Sequence, residues 1–114
     1  ATKRIKQINV GENWTKLKDN IKSVHSGAYG RLDKNGCAPT ITTRFDTPSG
    51  GRFIHPVEDR TLSPREGARI QSFPDSFKFL GNKTSVYKQI GNAVPPKLAY
   101  FYANVLQEIL NNEY

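Results

Sequence analysis

The chain has 114 residues, enough for one modest domain, and its hydrophobic share of 36% predicts a thin core. No apolar run reaches the roughly 18 residues that a membrane span needs, and the single cysteine excludes an internal disulfide and fits a cytosolic protein. Lys and Arg outnumber Asp and Glu by 17 to 10, so the net charge of +7 favours a polyanionic partner such as nucleic acid.

Two short elements and a loop are predicted near the N-terminus. Residues 3–10 alternate loosely between polar and apolar side chains, which favours a short strand or an extended arm. A helix is predicted over about 14–24, because Asn13 is a good N-cap and apolar side chains follow it at helical spacing. Those side chains are Trp14, Leu17, Ile21 and Val24. Glycines and a proline across 26–39 mark a loop.

Two strands are predicted next. Residues 40–45 (TITTRF) are β-branched and aromatic, a composition typical of strands. A Pro-Ser-Gly-Gly turn at 48–51 leads to a second short strand at 52–55.

Three helices are predicted in the second half of the chain. Ser63 and Glu66 have the spacing of a capping box, with a proline between them at the first helical position, so a helix is expected to run to about Ser72. Thr84 is expected to cap a short helix that ends at Gly91. Two prolines, Pro95 and Pro96, then open a last helix.

The last helix carries a broad apolar stripe on one face. Its members are Leu98, Phe101, Tyr102, Val105, Leu106, Ile109 and Leu110. Two interpretations stay open at this point: the helix belongs to the core of this chain, or it docks on a sheet that the sequence does not contain.

Four stretches resemble the last part of a bacterial-type DNA (cytosine-5) methyltransferase, in the order of that family. Residues 29–33 (YGRLD) with 38–43 (APTITT), and then 51–56 (GRFIHP), resemble the end of its target-recognition region. Residues 60–74 (RTLSPREGARIQSFP) resemble its ninth motif, and residues 87–96 (YKQIGNAVPP) its tenth and last.

The resemblance implies an α+β arrangement in two parts. Residues 1–59 would be the C-terminal part of the target-recognition region, a small irregular segment that contains β-structure. Residues 60–114 would be the ninth- and tenth-motif helices, which close onto the larger α/β S-adenosylmethionine-dependent methyltransferase domain. That domain needs an alternating strand–helix series, which this sequence lacks.

The turn at Gly91 is the candidate cofactor site. Glycine permits a backbone turn that other residues resist, and the prolines after it open a helix whose first N–H groups face forward, as suits a polar ligand. In the resembling family this turn lines the S-adenosylmethionine pocket, a role that carries over to Asn92, Ala93 and Val94. The alternative is a simple turn between helices.

The resemblance also suggests residues for the DNA side. Thr40 is a candidate phosphate contact, and Arg31, Lys34 and Arg44 are further candidate contacts to the DNA backbone. A second group is expected to brace the recognition region. It consists of Arg60, Arg65, Glu66 and Arg69. The alternatives are ordinary strand propensity for Thr40 and a solvated charged face for the arginines.

No catalytic residue is expected in this chain. The chemistry of the resembling family requires a cysteine after a proline, whose thiolate attacks C6 of a flipped cytosine. Cys37 instead precedes Ala38 and Pro39, in the context of the recognition region. A glycine-rich cofactor loop is also missing. His25 and His55 lack the spacing of a metal site, so no metal is expected.

The sequence therefore predicts a C-terminal fragment or small subunit of a DNA (cytosine-5) methyltransferase, inactive alone. Its expected partners are double-stranded DNA and the N-terminal catalytic portion, with S-adenosylmethionine bound only in the complete enzyme. The resemblance implies a bacterial, cytoplasmic protein. A stand-alone, non-catalytic DNA-binding module is the alternative. A basic RNA-binding protein is a third hypothesis, which lacks its expected motifs here.

Overall fold

A computed structural model of the chain describes residues 2–17 and 27–113, with the side chain of Glu113 left out. Four α-helices lie in these ranges: α1 (Thr2–Ile5), α2 (Pro64–Ile70), α3 (Lys83–Asn92) and α4 (Pro96–Glu113). Short 3-10 turns occupy Trp14–Lys16 and Pro48–Gly50. The described part is therefore mostly helical and irregular.

The predicted strands are wrong or reduced. Residues 3–10 begin with the one-turn helix α1, and residues 40–45 form a loop and turn. Of the strand at 52–55, only Ile54 pairs, with a parallel bridge to Arg31 and an antiparallel bridge to Thr61. The threonine-rich segment turns because its side chains bond locally: the Arg44 amide donates to Thr42 Oγ1 at 3.3 Å.

Of the predicted helix over 14–24, the described residues 14–17 contain a short 3-10 turn and not an α-helix. Asn13 is the N-cap, as predicted, with its Oδ1 accepting from the Thr15 amide at 3.1 Å. The 3-10 turn ends at once, since Leu17 is extended. Residues 18–24 lie outside the described residues.

The later helix boundaries follow the sequence signals closely. The capping box of α2 is confirmed, with both Ser63 and Glu66 making their reciprocal bonds. For α3 the predicted cap is wrong: Asn82, not Thr84, accepts from the Ser85 amide at 2.8 Å. Asparagine is a better cap than threonine, and Asn82 has the extended backbone that a cap requires.

The core lies where α2 and α3 cover the irregular segment. Its centre is the ring of Phe45, which lies 4.4 Å from the ring of Tyr87 and 6.4 Å from that of Phe53. A Cβ on Gly67 would come within 2.5 Å of the Phe45 ring, so α2 packs this closely only because it has a glycine there. The remaining members of the core are Leu32, Ile41, Leu62, Ala68 and Ile90.

Helix α4 leaves this core. Residues 97–112 are all exposed, including every member of the predicted apolar stripe. The core-helix interpretation of that stripe is therefore wrong within the described part of the chain. No described helix is long and apolar enough to cross a membrane.

Candidate cofactor turn and DNA-contact residues

One buried side chain fixes the turn between α3 and α4 through hydrogen bonds to its backbone. Gln71, at the end of α2, donates from Nε2 to the carbonyls of Ile90 at 3.0 Å and Ala93 at 3.3 Å. Asn92 is the last residue of α3, and its exposed carboxamide forms no hydrogen bond with the described residues. Val94 is 64% exposed. The turn is thus fixed in place while its polar and apolar side chains face outward.

Gly91 does not serve the turn in the predicted way. It is helical, within α3, and a Cβ there would lie 2.5 Å from the carbonyl of Thr42 and the amide of Thr43. The glycine is needed because two backbones meet at this point. The predicted turn conformation at Gly91 is therefore replaced by a close approach of α3 to the loop before Phe45.

This approach brings Thr40 beside the candidate cofactor turn. A cleft of about 350 Å³ lies between them, lined on one side by the loop from Ala38 to Ile41 and on the other by Gly91, Ala93 and Pro95. The sequence placed Thr40 and Ala93 in separate DNA and cofactor sites. The structure places them on the two walls of one cleft.

The first turn of α4 offers fewer free amides than predicted. Pro95 and Pro96 have no N–H, and the amide of Lys97 donates to Ser72 Oγ at 3.1 Å. Ser72 holds a left-handed backbone, with φ 67°, at the end of α2. The Lys97 amide therefore ties the first turn of α4 to the end of α2, and the outward polar group of the turn is the Asn92 side chain.

Arg31 differs most from its predicted role. It is 5% exposed, and each of its five N–H groups has an acceptor within the chain. Nε and Nη2 bind the carbonyls of Ile8 and Ile5, and Nη2 also pairs with Asp59 at 2.7 Å. Nη1 binds two carbonyls of the turn after Ile54. Arg31 therefore joins the N-terminal segment to the 55–59 turn and has no donor left for a phosphate in this conformation.

The other candidate DNA contacts lie at the surface. Thr40 and Lys34 are exposed, the latter in the turn at 33–36. Arg44 is exposed too, with its side chain near Asp46 Oδ1 at 3.6 Å and Thr47 Oγ1 at 3.2 Å. These weak exposed contacts leave the arginine free to move to an external anion.

Arg60 and Glu66 form the strongest ion pair of the bracing group. Two nitrogens of Arg60 bind the two carboxylate oxygens of Glu66 at 2.8 Å each, and Arg60 also pairs with Glu58. The hydrogen bond from Arg60, with help from the Ser63 amide, lowers the pKa of Glu66 to about 2. The same pairs raise the pKa of Arg60 further above its already high value. Glu66 therefore pairs with Arg60, which precedes the helix, and not with Arg65 or Arg69 on the helix itself.

The other two arginines of the group make different contacts. Arg69 forms a bidentate pair with Asp75, with bonds of 2.9 and 2.8 Å, which lowers the pKa of that carboxyl. Arg65 donates from Nη2 to the Phe77 carbonyl at 3.0 Å and lies over the Phe79 ring. Both contacts fasten the segment after α2 back onto the helix.

The sequence did not predict the contacts of several residues that hold the turns in place. Gln71 and Ser72 lie inside the ninth-motif stretch, yet polar side chains near a helix end give no sign of which carbonyl or amide they will reach. Arg52 donates to the carbonyls of Gly11 at 2.8 Å and Arg31 at 3.3 Å, across more than twenty residues of sequence. His55 accepts from the amides of Val57 and Glu58 at 3.2 and 2.9 Å. For His55, the only sequence feature that indicates a turn is the proline that follows it.

Cys37 is exposed in the loop that carries Thr40. Within the part of the chain that the structure describes, no three His, Cys, Asp or Glu side chains cluster closely enough to hold a metal.

The sequence is similar to one family of known proteins. The family model of the C-5 cytosine-specific DNA methylases matches residues 1–108. DNA (cytosine-5)-methyltransferase 3 of Arabidopsis thaliana is 48% identical over 89 residues, which are 76% of this chain and 6% of the plant protein. DNA (cytosine-5)-methyltransferase 1 of Mus musculus is 49% identical over 76 residues, 65% of this chain and 5% of that protein.

A bacterial relative is similar to the same degree. Type II methyltransferase M1.BsuMI of Bacillus subtilis is 46% identical over 80 residues, which are 69% of this chain and 19% of that protein. The chain thus spans only a small part of the relatives that it matches. Because the family model covers nearly all of it, the chain belongs to the C-5 cytosine-specific DNA methylase family.

Proposed function

We propose that this chain is the C-terminal part of a DNA (cytosine-5) methyltransferase, as a fragment or a small subunit. In this proposal it supports DNA recognition and closes one side of the S-adenosylmethionine pocket, and a catalytic portion completes the enzyme. The complete enzyme transfers a methyl group to C5 of cytosine in double-stranded DNA. The chain alone transfers none, because Cys37 stands in the wrong context to act as the nucleophile.

The exposed stripe of α4 is the observation that carries this proposal. Phe101 and Leu106 are both 60% exposed, and Leu110 is 57% exposed, on a helix that the core does not touch. An apolar surface of this extent usually marks an interface. Because α4 starts directly after the cofactor turn, a domain that covers the stripe would lie next to the turn that carries Asn92.

The residues of the turn fit one wall of a cofactor pocket. The Asn92 carboxamide has both donors and its acceptor unused by the described residues, and Val94 supplies an exposed apolar surface beside it. Gln71 keeps the backbone of the turn fixed, which lowers the entropy lost when a ligand binds. S-adenosylmethionine, when bound, supplies the methyl group that is transferred.

The irregular segment fits a support for DNA recognition. The buried Arg31 and the partly exposed Arg60–Glu66 pair hold its turns together as bracing residues, while Arg65 and Arg69 fasten the stretch after α2. Thr40, Lys34 and Arg44 remain exposed on its surface for phosphate contacts. In this arrangement Arg31 acts through the fold and not on DNA.

Association with the catalytic portion tests the proposal against the alternative of a stand-alone DNA-binding module. The chain and the catalytic portion are mixed and analysed by size-exclusion chromatography with light scattering. We expect a one-to-one complex. If the two stay separate while the chain binds DNA unaided, the stand-alone module is the better description.

A further inference from the structure

A second cleft lies at the other end of α2, away from the cofactor turn. It has a volume of about 390 Å³ and lies between the start of α2 and the start of α3. Two cationic residues, Arg65 and Lys83, line it, and no acidic residue does. The cleft therefore has a positive electrostatic character that none of its lining residues offsets.

Arg65 lines this cleft, and its charge is balanced only at a distance, by Asp75, whose pKa it helps Arg69 to lower. It forms no ion pair within the described residues, in contrast to Arg60 and Arg69. Its Nη1 is shut off from solvent and has no hydrogen-bond acceptor. An unpaired donor on a cation is unusual in a native fold. Because no carboxylate is in contact with the guanidinium, an anion in the cleft would be attracted to Arg65 without having to displace an ion pair.

Lys83 adds a second, more accessible charge. It is the first residue of α3 and exposed, and its ammonium makes one contact, with the face of the Tyr87 ring at 5.9 Å. Asn82 caps the amide of Ser85 and leaves the amides of Lys83 and Thr84 without acceptors. These amides reinforce the attraction for an anion that the side chains create.

The apolar lining distinguishes between anions. Phe79, Pro64 and Val86 form part of the walls beside the two cations. A free inorganic phosphate gains nothing from such walls, whereas a phosphate in a nucleic-acid strand carries a deoxyribose that can pack on them.

We propose that this cleft binds a backbone phosphate of DNA, with Lys83 and Arg65 supplying the charge and Phe79 packing against the adjoining sugar. The inference rests on the proposed function. It adds a DNA contact on the ninth-motif side of the chain, distinct from the contacts expected of Thr40, Lys34 and Arg44.

The test compares Lys83→Gln with Lys88→Gln. Both replace an exposed lysine of α3 and lower the net charge equally, but Lys88 does not line the cleft. Binding of a fluorescent duplex to the full chain is measured by anisotropy from about 50 to 200 mM salt. We expect Lys83→Gln to weaken binding about three- to tenfold and to reduce the log–log salt slope by about 0.9, as for the loss of one phosphate contact. Lys88→Gln should change both much less.

Two further results are decisive. If wild type binds the duplex and the two variants behave alike, the cleft is not a phosphate site, while the proposed function stands. If wild type does not bind at about 50 mM salt, both this inference and the DNA part of the proposed function fail. At constant ionic strength, inorganic phosphate should displace the duplex poorly; displacement that is efficient from wild type but not from Lys83→Gln would identify a free-anion site and overturn the inference.

Discussion

Both carboxylate oxygens of Glu66 accept a hydrogen bond from the guanidinium of Arg60, at 2.8 Å each. The same carboxylate accepts from the Ser63 amide at 2.8 Å, as the capping box of α2 requires. One side chain therefore starts the helix and also fixes the segment before it. Through this double role the ionised Glu66 stabilises both the start of α2 and the segment before it.

The stability of the chain should consequently fall in acid. Arg60 holds the pKa of Glu66 at about 2 in the folded chain, below the ordinary value of 4.5. Between these values the unfolded chain binds the proton more readily, so the free energy of unfolding decreases as the pH falls from about 4.5 to 2. After allowance for the partial exposure of the pair, the loss should be about 1–2 kcal/mol.

Urea unfolding at a series of pH values checks this, with Glu66→Gln as the control. Glutamine keeps the cap but has no charge to titrate, so its curve should be flatter in this range. Equal acid sensitivity in both proteins would show that the ion pair contributes nothing.

Gly91→Ala should destabilise the chain by about 1–3 kcal/mol, because an added methyl group has no room where two backbones meet. Its Cβ would lie 2.5 Å from the backbone of Thr42 and Thr43. Gly36→Ala is the matched control, since its Cβ would meet only the Asp33 side chain, at 3.4 Å or more. Urea midpoints measure both. A Gly91→Ala variant as stable as wild type would refute the close approach.

Arg31→Gln should lower the free energy of unfolding by about 3–5 kcal/mol, because it leaves buried carbonyls and the Asp59 carboxylate without their donor. Five hydrogen bonds end on this one guanidinium. Thermal unfolding followed by circular dichroism is the measurement. A variant that keeps its stability but loses affinity for DNA would restore Arg31 as a phosphate contact.

Asn92→Ala should weaken cofactor binding in the complete enzyme by up to about tenfold, the loss of one or two hydrogen bonds to a polar ligand. DNA affinity should be nearly unchanged. Paired titrations with S-adenosylmethionine and with duplex measure the two effects, and Asn111→Ala, an exposed asparagine far along α4, is the control. If the variant loses affinity for DNA but binds the cofactor normally, the turn contacts DNA and its assignment to the cofactor is wrong.

The features that the sequence predicted well depend on neighbours in the chain. The capping box at Ser63 and the apolar stripe of α4 need only residues three or four apart. The features it missed depend on distant contacts. Nothing local shows that Arg31 is buried, since arginines usually remain at the surface, or that Thr40 lies across a cleft from Ala93.

The strand predictions failed for a related reason. Thr42 and Thr43 have high strand propensity, but a strand also needs a neighbouring strand to pair with. Here helix α3 lies against their backbone at Gly91 instead. Local propensity shows that a segment can form a strand, but its contacts with the rest of the chain determine whether it does.

Methyl transfer by the reassembled enzyme tests the central claim most directly. The chain and the catalytic portion are incubated, separately and together, with labelled S-adenosylmethionine and cytosine-containing duplex DNA. We expect label at cytosine C5 only from the mixture, its loss with Leu106→Asp on the apolar face of α4, and its retention with Asn111→Asp on the polar face. Robust transfer by the purified chain alone, or none from a mixture that forms a stable complex, would contradict the account.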